Sequence, residues 1–178
     1  MYQYTDFDRQ FIRLRAEQFR DQLERWQAGK LTEEQFRPLR LQNGWYVQRY
    51  APMLRVAVPY GELSSTQLRV LARVAREYDQ PEPALLAEAQ ATQEKLGDIP
   101  LADGRRIGTK LKYGYGHFTT RTNVQFNWIP LSQAADVVDL LATVQLHGIQ
   151  TISNFISNIH SDALAGLAAD AIANPRPI

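Results

Sequence analysis

Residues 117–128, HFTTRTNVQFNW, alternate between apolar and polar side chains with a period of two. This alternation is typical of a β-strand that lays one face on a hydrophobic core. The segment therefore predicts a single strand, with Phe118, Val124, Phe126 and Trp128 facing inward. The opposite face is wholly polar and carries His117, Thr119, Arg121, Asn123, Gln125 and Asn127.

Two interpretations of this polar face remain open at the level of sequence. The first is an ordinary solvated sheet face. Solvated faces more often carry Lys and Glu, whereas here only Arg121 is permanently charged. The second interpretation is therefore a hydrogen-bonding surface for a large polar ligand.

A second strand is predicted over residues 53–58, MLRVAV, which Pro59 ends. Leu54, Val56 and Val58 share one face of it, and Arg55 lies on the other. If this strand pairs with 117–128, Arg55 and Arg121 converge on one anion-binding patch, because guanidinium groups bind carboxylates in a bidentate manner. A shorter strand is expected within 45–50.

Helices are predicted on both sides of these strands. Apolar spacing indicates a helix over 7–26, and propensity favours another over 84–96. Capping-box patterns begin at Thr32, for a short helix that Pro38 is expected to end, and at Ser64. A further helix is expected to start at Pro130 and to close at His147–Gly148, and a small Ala-rich helix is expected over 162–173.

Composition excludes several classes of protein. The 178 residues are 44% hydrophobic, enough for a packed core, and contain no cysteine. A disulfide framework, a thiolate-held cluster and a cysteine nucleophile are therefore excluded. No long apolar run and no signal-peptide pattern is present, so the expected location is the cytoplasm, without membrane association. The net charge of +1 argues against nucleic-acid binding through the arginine-rich N-terminal arm.

Familiar catalytic and nucleotide-binding motifs are absent from the sequence. The three histidines do not have metal-ligand spacing, and no serine lies in a GxSxG elbow. Asp136 and Asp139, one helical turn apart, are expected to be a solvated pair. The glycines around Tyr115 match no phosphate-binding fingerprint, although they are expected to let backbone approach a ligand.

Several blocks of the sequence resemble the N-terminal part of the sulfite/nitrite reductase haemoprotein family, most closely its bacterial assimilatory sulfite reductase β-component. The blocks occur in the family's order and spacing. They are FRPLRLQNGWYVQRYAPMLRVAVPYGELSSTQLRVLA (36–72), YGYGHFTTRTNVQFNWIPL (113–131), LATVQLHGIQT (141–151) and the terminal NPRP.

The resemblance implies an α+β fold, with a ferredoxin-like half-domain of the nitrite/sulfite reductase type. We expect an N-terminal helical arm over 1–40 and the half-domain over 41–148, with a helical and loop excursion at 79–110. Residues 149–178 are expected to begin a truncated sirohaem and cluster domain.

The resemblance also implies a function. Family members carry out six-electron reduction of sulfite to sulfide, or of nitrite to ammonia, with sirohaem coupled to a [4Fe–4S] cluster, and a flavoprotein or ferredoxin supplies the electrons. The chain would contribute part of the sirohaem and anion pocket. The implied cofactor-binding residues are Arg55, Thr119, Arg121, Asn123, Gln125 and Asn127.

Departures from the family pattern limit what this chain is expected to do alone. The family's cluster cysteines lie in its later part, so this chain would need the missing C-terminal part of the haemoprotein. Ala57 replaces a second basic residue of some branches, and Ser153, Phe155 and Ser157 replace the usual Gly, Cys and Arg. The alternative is a non-catalytic half-domain that self-associates or binds a partner.

Overall fold

The computed structural model describes residues 3–48, 51–96, 99–100, 102–103, 106–107 and 113–152. Five α-helices and a four-stranded antiparallel sheet form an α+β domain consistent with a ferredoxin-like half-domain. The helices are α1 (Asp6–Gln27), α2 (Glu33–Gln42), α3 (Ser65–Glu77), α4 (Pro83–Leu96) and α5 (Ala134–Ala142). The strands are β1 (Trp45–Gln48), β2 (Ala51–Ala57), β3 (Ile99–Pro100), β4 (Arg106–Ile107), β5 (His117–Phe118) and β6 (Asn123–Phe126).

Capping boxes fix the starts of α2 and α3 as the sequence predicted. The side chains of Thr32 and Ser64 accept from the backbone N–H three residues later. The expectation that Pro38 ends α2 is wrong, because the helix continues to Gln42. Phe36 and Arg40 flank Pro38 and are both buried, and Arg40 donates to the carbonyl of Trp45 at 3.3 Å. This packing outweighs the backbone hydrogen bond that proline removes.

The sheet has the strand order β1-β2-β6-β5, and each neighbouring pair is antiparallel. The predicted pairing of the two strands is therefore present, with Arg55 directly opposite Gln125 and Ala57 opposite Asn123. Strand β2 begins two residues earlier than predicted, at Ala51. Strands β3 and β4 form a separate two-stranded antiparallel pair.

The prediction of one continuous strand over 117–128 is wrong. The chain reverses between Thr119 and Asn123, so that β5 and β6 form a hairpin with His117 opposite Gln125. The loop Thr120–Thr122 ends in a left-handed residue, Thr122, with φ of 52°. This is the usual geometry of a three-residue hairpin loop. Polar threonine hydroxyls favour such a loop over a strand, because they bind nearby backbone N–H groups.

The hydrophobic core lies on one face of the sheet, beneath the helices. Val124, Phe126 and Trp128 are buried as predicted, but Phe118 is 66% exposed because β5 is an edge strand. Leu68 of α3 is also exposed. Helices α1 and α2 contribute to the same core, through Phe19, Leu23 and Phe36.

An ion-pair cluster joins α1 to α5. Arg20 donates to Asp136 at 2.8 Å and to Asp139 at 3.1 Å. These hydrogen bonds raise the pKa of Arg20. The two aspartates are largely exposed, as expected of a solvated pair, and they also bind a guanidinium from a helix distant in sequence.

Two glycines allow three backbone segments to meet at Arg55. A Cβ on Gly44 would lie 2.5 Å from the Arg55 carbonyl oxygen, and one on Gly148 would lie 2.5 Å from the Asn43 carbonyl oxygen. The Arg55 N–H donates to the Gly44 carbonyl at 2.9 Å, and the Ala57 N–H donates to the His147 carbonyl at 2.8 Å. The backbone at Gly44 and at His147–Gly148 therefore lies directly against β2 and fixes the position of Arg55.

His147 does not close α5, contrary to the sequence-based expectation, since that helix ends at Ala142. Its Nδ1 instead accepts from the Ile149 N–H at 3.2 Å. Burial lowers the pKa of His147 from 6.5 to about 4, with Asp8 acting in the opposite direction. The imidazole is therefore neutral at neutral pH and serves as a hydrogen-bond acceptor.

None of the helices in the described part of the chain combines the length and the apolar content needed to cross a membrane.

Acid should destabilise the fold through His147. Between pH 6.5 and about 4 the unfolded chain binds the proton and the folded chain does not, so stability falls as pH falls across this window. The loss approaches about 3 kcal/mol at most. Urea unfolding at several pH values measures it. His147→Asn keeps an acceptor near the position of Nδ1 but does not titrate, so it should flatten this part of the profile; identical profiles would contradict the assignment.

Candidate functional site

The sheet face opposite the core brings polar residues from three strands into one row. Register places His117 of β5 opposite Gln125 of β6, and Gln125 opposite Arg55 of β2. All three side chains are half-buried. Residues opposite one another on antiparallel strands point to the same side, so their functional groups share one surface. We call Arg55, His117, Gln125 and Asn127 the polar face.

Arg55 is held by hydrogen bonds within the polar face. Its Nε donates to Gln125 Oε1 at 2.8 Å. Gln125 Nε2 in turn donates to Asn127 Oδ1 at 2.9 Å and contacts Met53 Sδ at 3.5 Å. The two terminal nitrogens of Arg55 have no hydrogen-bond partner among the described residues. They remain available to bind an anion. Bidentate binding of a carboxylate requires two such guanidinium nitrogens side by side.

The structure does not place Arg121 on a strand. Its side chain is exposed in the β5–β6 loop, past the end of β2. The Thr119 hydroxyl accepts from the N–H groups of Arg121 and Asn123, each at 3.3 Å, so that hydroxyl shapes the loop. Of the six residues predicted for the site, the hydrogen-bond network joins three: Arg55, Gln125 and Asn127.

Two positions on this side of the sheet are less accessible than the sequence suggested. Asn123 and Ala57 lie opposite one another and are both buried. The side chain of Ala57 is therefore not part of the exposed surface. Ser153, Phe155 and Ser157 lie outside the described residues, as does His160.

The glycines near Tyr115 each have a structural role. A Cβ on Gly116 would lie 2.8 Å from the ring of Phe126, so glycine is needed for the chain before β5 to approach the core. Gly114 has a positive φ of 76°, and its N–H donates to Asp79. Close packing accounts for Gly116, and backbone conformation accounts for Gly114.

Sequence reasoning missed Asp79, which it placed at the start of the 79–110 excursion. The carboxylate is fully buried. Oδ2 accepts from Gly114 N–H at 2.9 Å and from Tyr115 N–H at 3.2 Å. Oδ1 accepts from Asn127 N–H at 3.0 Å and from Trp128 N–H at 2.8 Å. No periodic pattern signals such a residue, because its partners are distant backbone groups.

Opposing effects act on this carboxyl group. Burial raises the pKa of Asp79 above its ordinary value, while the four backbone N–H groups favour the charged form. Asp79 follows the end of α3. It thereby links α3 to the backbone of Gly114 and Tyr115, which we call the glycine segment, and to the end of β6.

The donor set of the polar face fits a carboxylate group. Arg55 offers two terminal NH₂ groups that have no partner among the described residues, and the hydrogen-bond network that holds it contains no acidic side chain. No residue fits a thiolate-held cluster, because the sequence contains no cysteine. Within the described ranges, no group of three or more His, Asp or Glu residues is placed to hold a metal ion.

Fold and site define an α+β, ferredoxin-like half-domain with a cationic polar face. Residues 47–82 match the family model of the nitrite/sulfite reductase ferredoxin-like half domain. The match covers about a fifth of the chain and includes β2 with Arg55, α3 and Asp79. It supports the resemblance to nitrite and sulfite reductases. No curated protein matches the chain.

Replacing Asp79 should destabilise the domain. In Asp79→Asn one amide oxygen remains as an acceptor, while the NH₂ group faces two backbone donors that lose their partner. Unpaired buried donors cost about 1–3 kcal/mol each, so we expect a loss of about 2–6 kcal/mol in the free energy of unfolding. Urea unfolding at pH 7 measures it. Glu77→Gln, which breaks an exposed pair with Arg73, is the matched control and should change little. Equal effects of the two variants would contradict this role.

Proposed function

We propose that this chain is the N-terminal portion of a sirohaem-dependent sulfite or nitrite reductase haemoprotein, of the bacterial β-component type. In this proposal it contributes part of the sirohaem and anion pocket. The observation that carries the proposal is the position of Arg55, which projects free guanidinium nitrogens from a sheet face of uncharged hydrogen-bonding side chains. The family match across residues 47–82 supports it, because the matched segment contains Arg55.

Each residue has a proposed task in binding. Arg55 pairs with a carboxylate of the macrocycle or with the substrate anion, and Arg121 adds a second cation from the hairpin loop. Asn123 and Thr119 hold that loop in shape. Sirohaem, when bound, supplies the route by which electrons reach the substrate anion. The residues of this chain bind and orient the negatively charged groups.

Catalysis requires parts that this chain does not contain. With no cysteine, the chain offers no thiolate for the [4Fe–4S] cluster. The remaining part of the haemoprotein would provide the cluster ligands, and a flavoprotein or ferredoxin would provide electrons. We therefore propose binding without sustained sulfite reduction by this chain alone.

Sirohaem added to the purified chain should change its visible spectrum in a saturable manner. Arg55→Gln should weaken binding about tenfold or more, since a charge-assisted pair is lost. Arg13→Gln removes the same charge from an exposed position on α1 and is the matched control. Absence of a saturable spectral change, or equal effects of the two variants, would contradict the proposal. Sustained sulfide production with reduced viologen would contradict the claim that binding occurs without catalysis.

Self-association is the second candidate, and one feature of α1 favours it. Phe7, Phe11 and Leu14 follow one another on a single helix face and are 74%, 42% and 51% exposed. The Phe7 and Phe11 rings stack with centroids 6.1 Å apart. A contiguous apolar strip of this kind is typical of an interaction surface. The partner proposed for it is a second copy of this chain.

Light scattering coupled to size-exclusion chromatography tests this candidate. At micromolar concentration the chain should elute as a dimer, and Phe11→Ser should convert it to a monomer because the strip is interrupted. Phe118→Ser is the control. It replaces an exposed aromatic residue on the edge strand β5 and should leave the mass unchanged. A monomer at all concentrations would contradict self-association.

A further inference from the structure

We propose that Gln125 and Asn127 are positioning residues that orient Arg55 and do not themselves bind the ligand, with Asp79 as the buried anchor behind them. This inference rests on the proposed function, because it assigns roles within the same anion-binding surface. It also departs from the sequence-based assignment, which counted both amides as cofactor-binding.

The amide of Gln125 is committed at both ends. Its oxygen accepts from Arg55 Nε at 2.8 Å, and its nitrogen donates to Asn127 Oδ1 at 2.9 Å. Rotating this amide by 180° would place an NH₂ group against the Nε–H donor of Arg55. Since Arg has no acceptor, that orientation is excluded. The Asn127 oxygen therefore selects the amide orientation that receives Arg55.

The far end of this chain of hydrogen bonds is fixed to the protein interior. Asn127 donates its backbone N–H to Asp79 Oδ1 at 3.0 Å, and the same oxygen accepts from Trp128 at 2.8 Å. Asp79 and Trp128 are both buried, so this end has little freedom to move. The chain of contacts runs from Asp79 through Asn127 and Gln125 to Arg55.

The consequence is a preorganised guanidinium. Binding through Nε fixes the plane of the group and directs its two terminal nitrogens away from Gln125. A free arginine side chain loses rotamer freedom when it binds a ligand, whereas Arg55 has lost part of it beforehand. Removing the Asn127 oxygen should therefore weaken anion binding by about three- to tenfold without removing any ligand contact.

A double-mutant cycle separates positioning from direct contact. Sirohaem affinity is measured by visible titration for wild type, Asn127→Ala, Arg55→Gln and the double variant. Asn127→Ala should weaken binding in the wild-type background and have no further effect when Arg55 is absent. Additive losses would show that Asn127 binds the ligand directly and would overturn the inference.

A ligand-free measurement keeps the inference testable if sirohaem does not bind. The Arg55 Nε–H should give a ¹⁵N–¹H NMR signal protected from solvent exchange. Asn127→Ala should remove that protection, and Asn127→Asp should retain it because a carboxylate oxygen still accepts from Gln125. Unchanged protection in Asn127→Ala would overturn the positioning role, whereas protection that behaves as expected without any sirohaem binding would count against the proposed function alone.

Discussion

The backbone behind the polar face is held in place by one buried carboxylate, that of Asp79. Asp79 satisfies four backbone N–H groups from two segments that are far apart in sequence. Burying a charge is costly unless hydrogen bonds compensate for it, so this position tolerates few arrangements of the surrounding backbone. Because the glycine segment and the end of β6 both depend on Asp79, the geometry of the polar face depends on it as well.

The two faces of the sheet obey different constraints. On the inner face, close packing decides the details, as at Gly116, where any side chain would collide with Phe126. On the outer face, hydrogen-bond direction determines how the side chains are oriented, because an amide accepts only at its oxygen and donates only at its nitrogen. Arg55 lies where both constraints meet: its backbone is confined by Gly44 and Gly148, and its side chain by Gln125.

The predictions that rest on short-range sequence patterns agree best with the structure. The capping boxes at Thr32 and Ser64 gave the starts of α2 and α3, because their hydrogen bonds close within three residues. Alternation along residues 117–128 identified the polar face correctly for His117, Gln125 and Asn127, even though the chain reverses between them. Residues paired across antiparallel strands lie on the same side of the sheet. Because His117 pairs with Gln125 and Phe118 with Val124, each residue stays on the side that the alternation predicted.

Three features could be inferred from the sequence: the mixture of helices and strands, the apolar and polar faces of β2 and β6, and Arg55 as a candidate cation. These features depend on neighbours in the chain, and side-chain periodicity records them directly. Three others became apparent only in the folded arrangement: the hairpin, the ion pairs of Arg20 and the role of Asp79. The contacts of Arg20 and Asp79 join residues that are distant in sequence and meet only in the folded chain, and the hairpin depends on backbone conformation at Thr122 that the period-two alternation does not show. No local pattern carries that information.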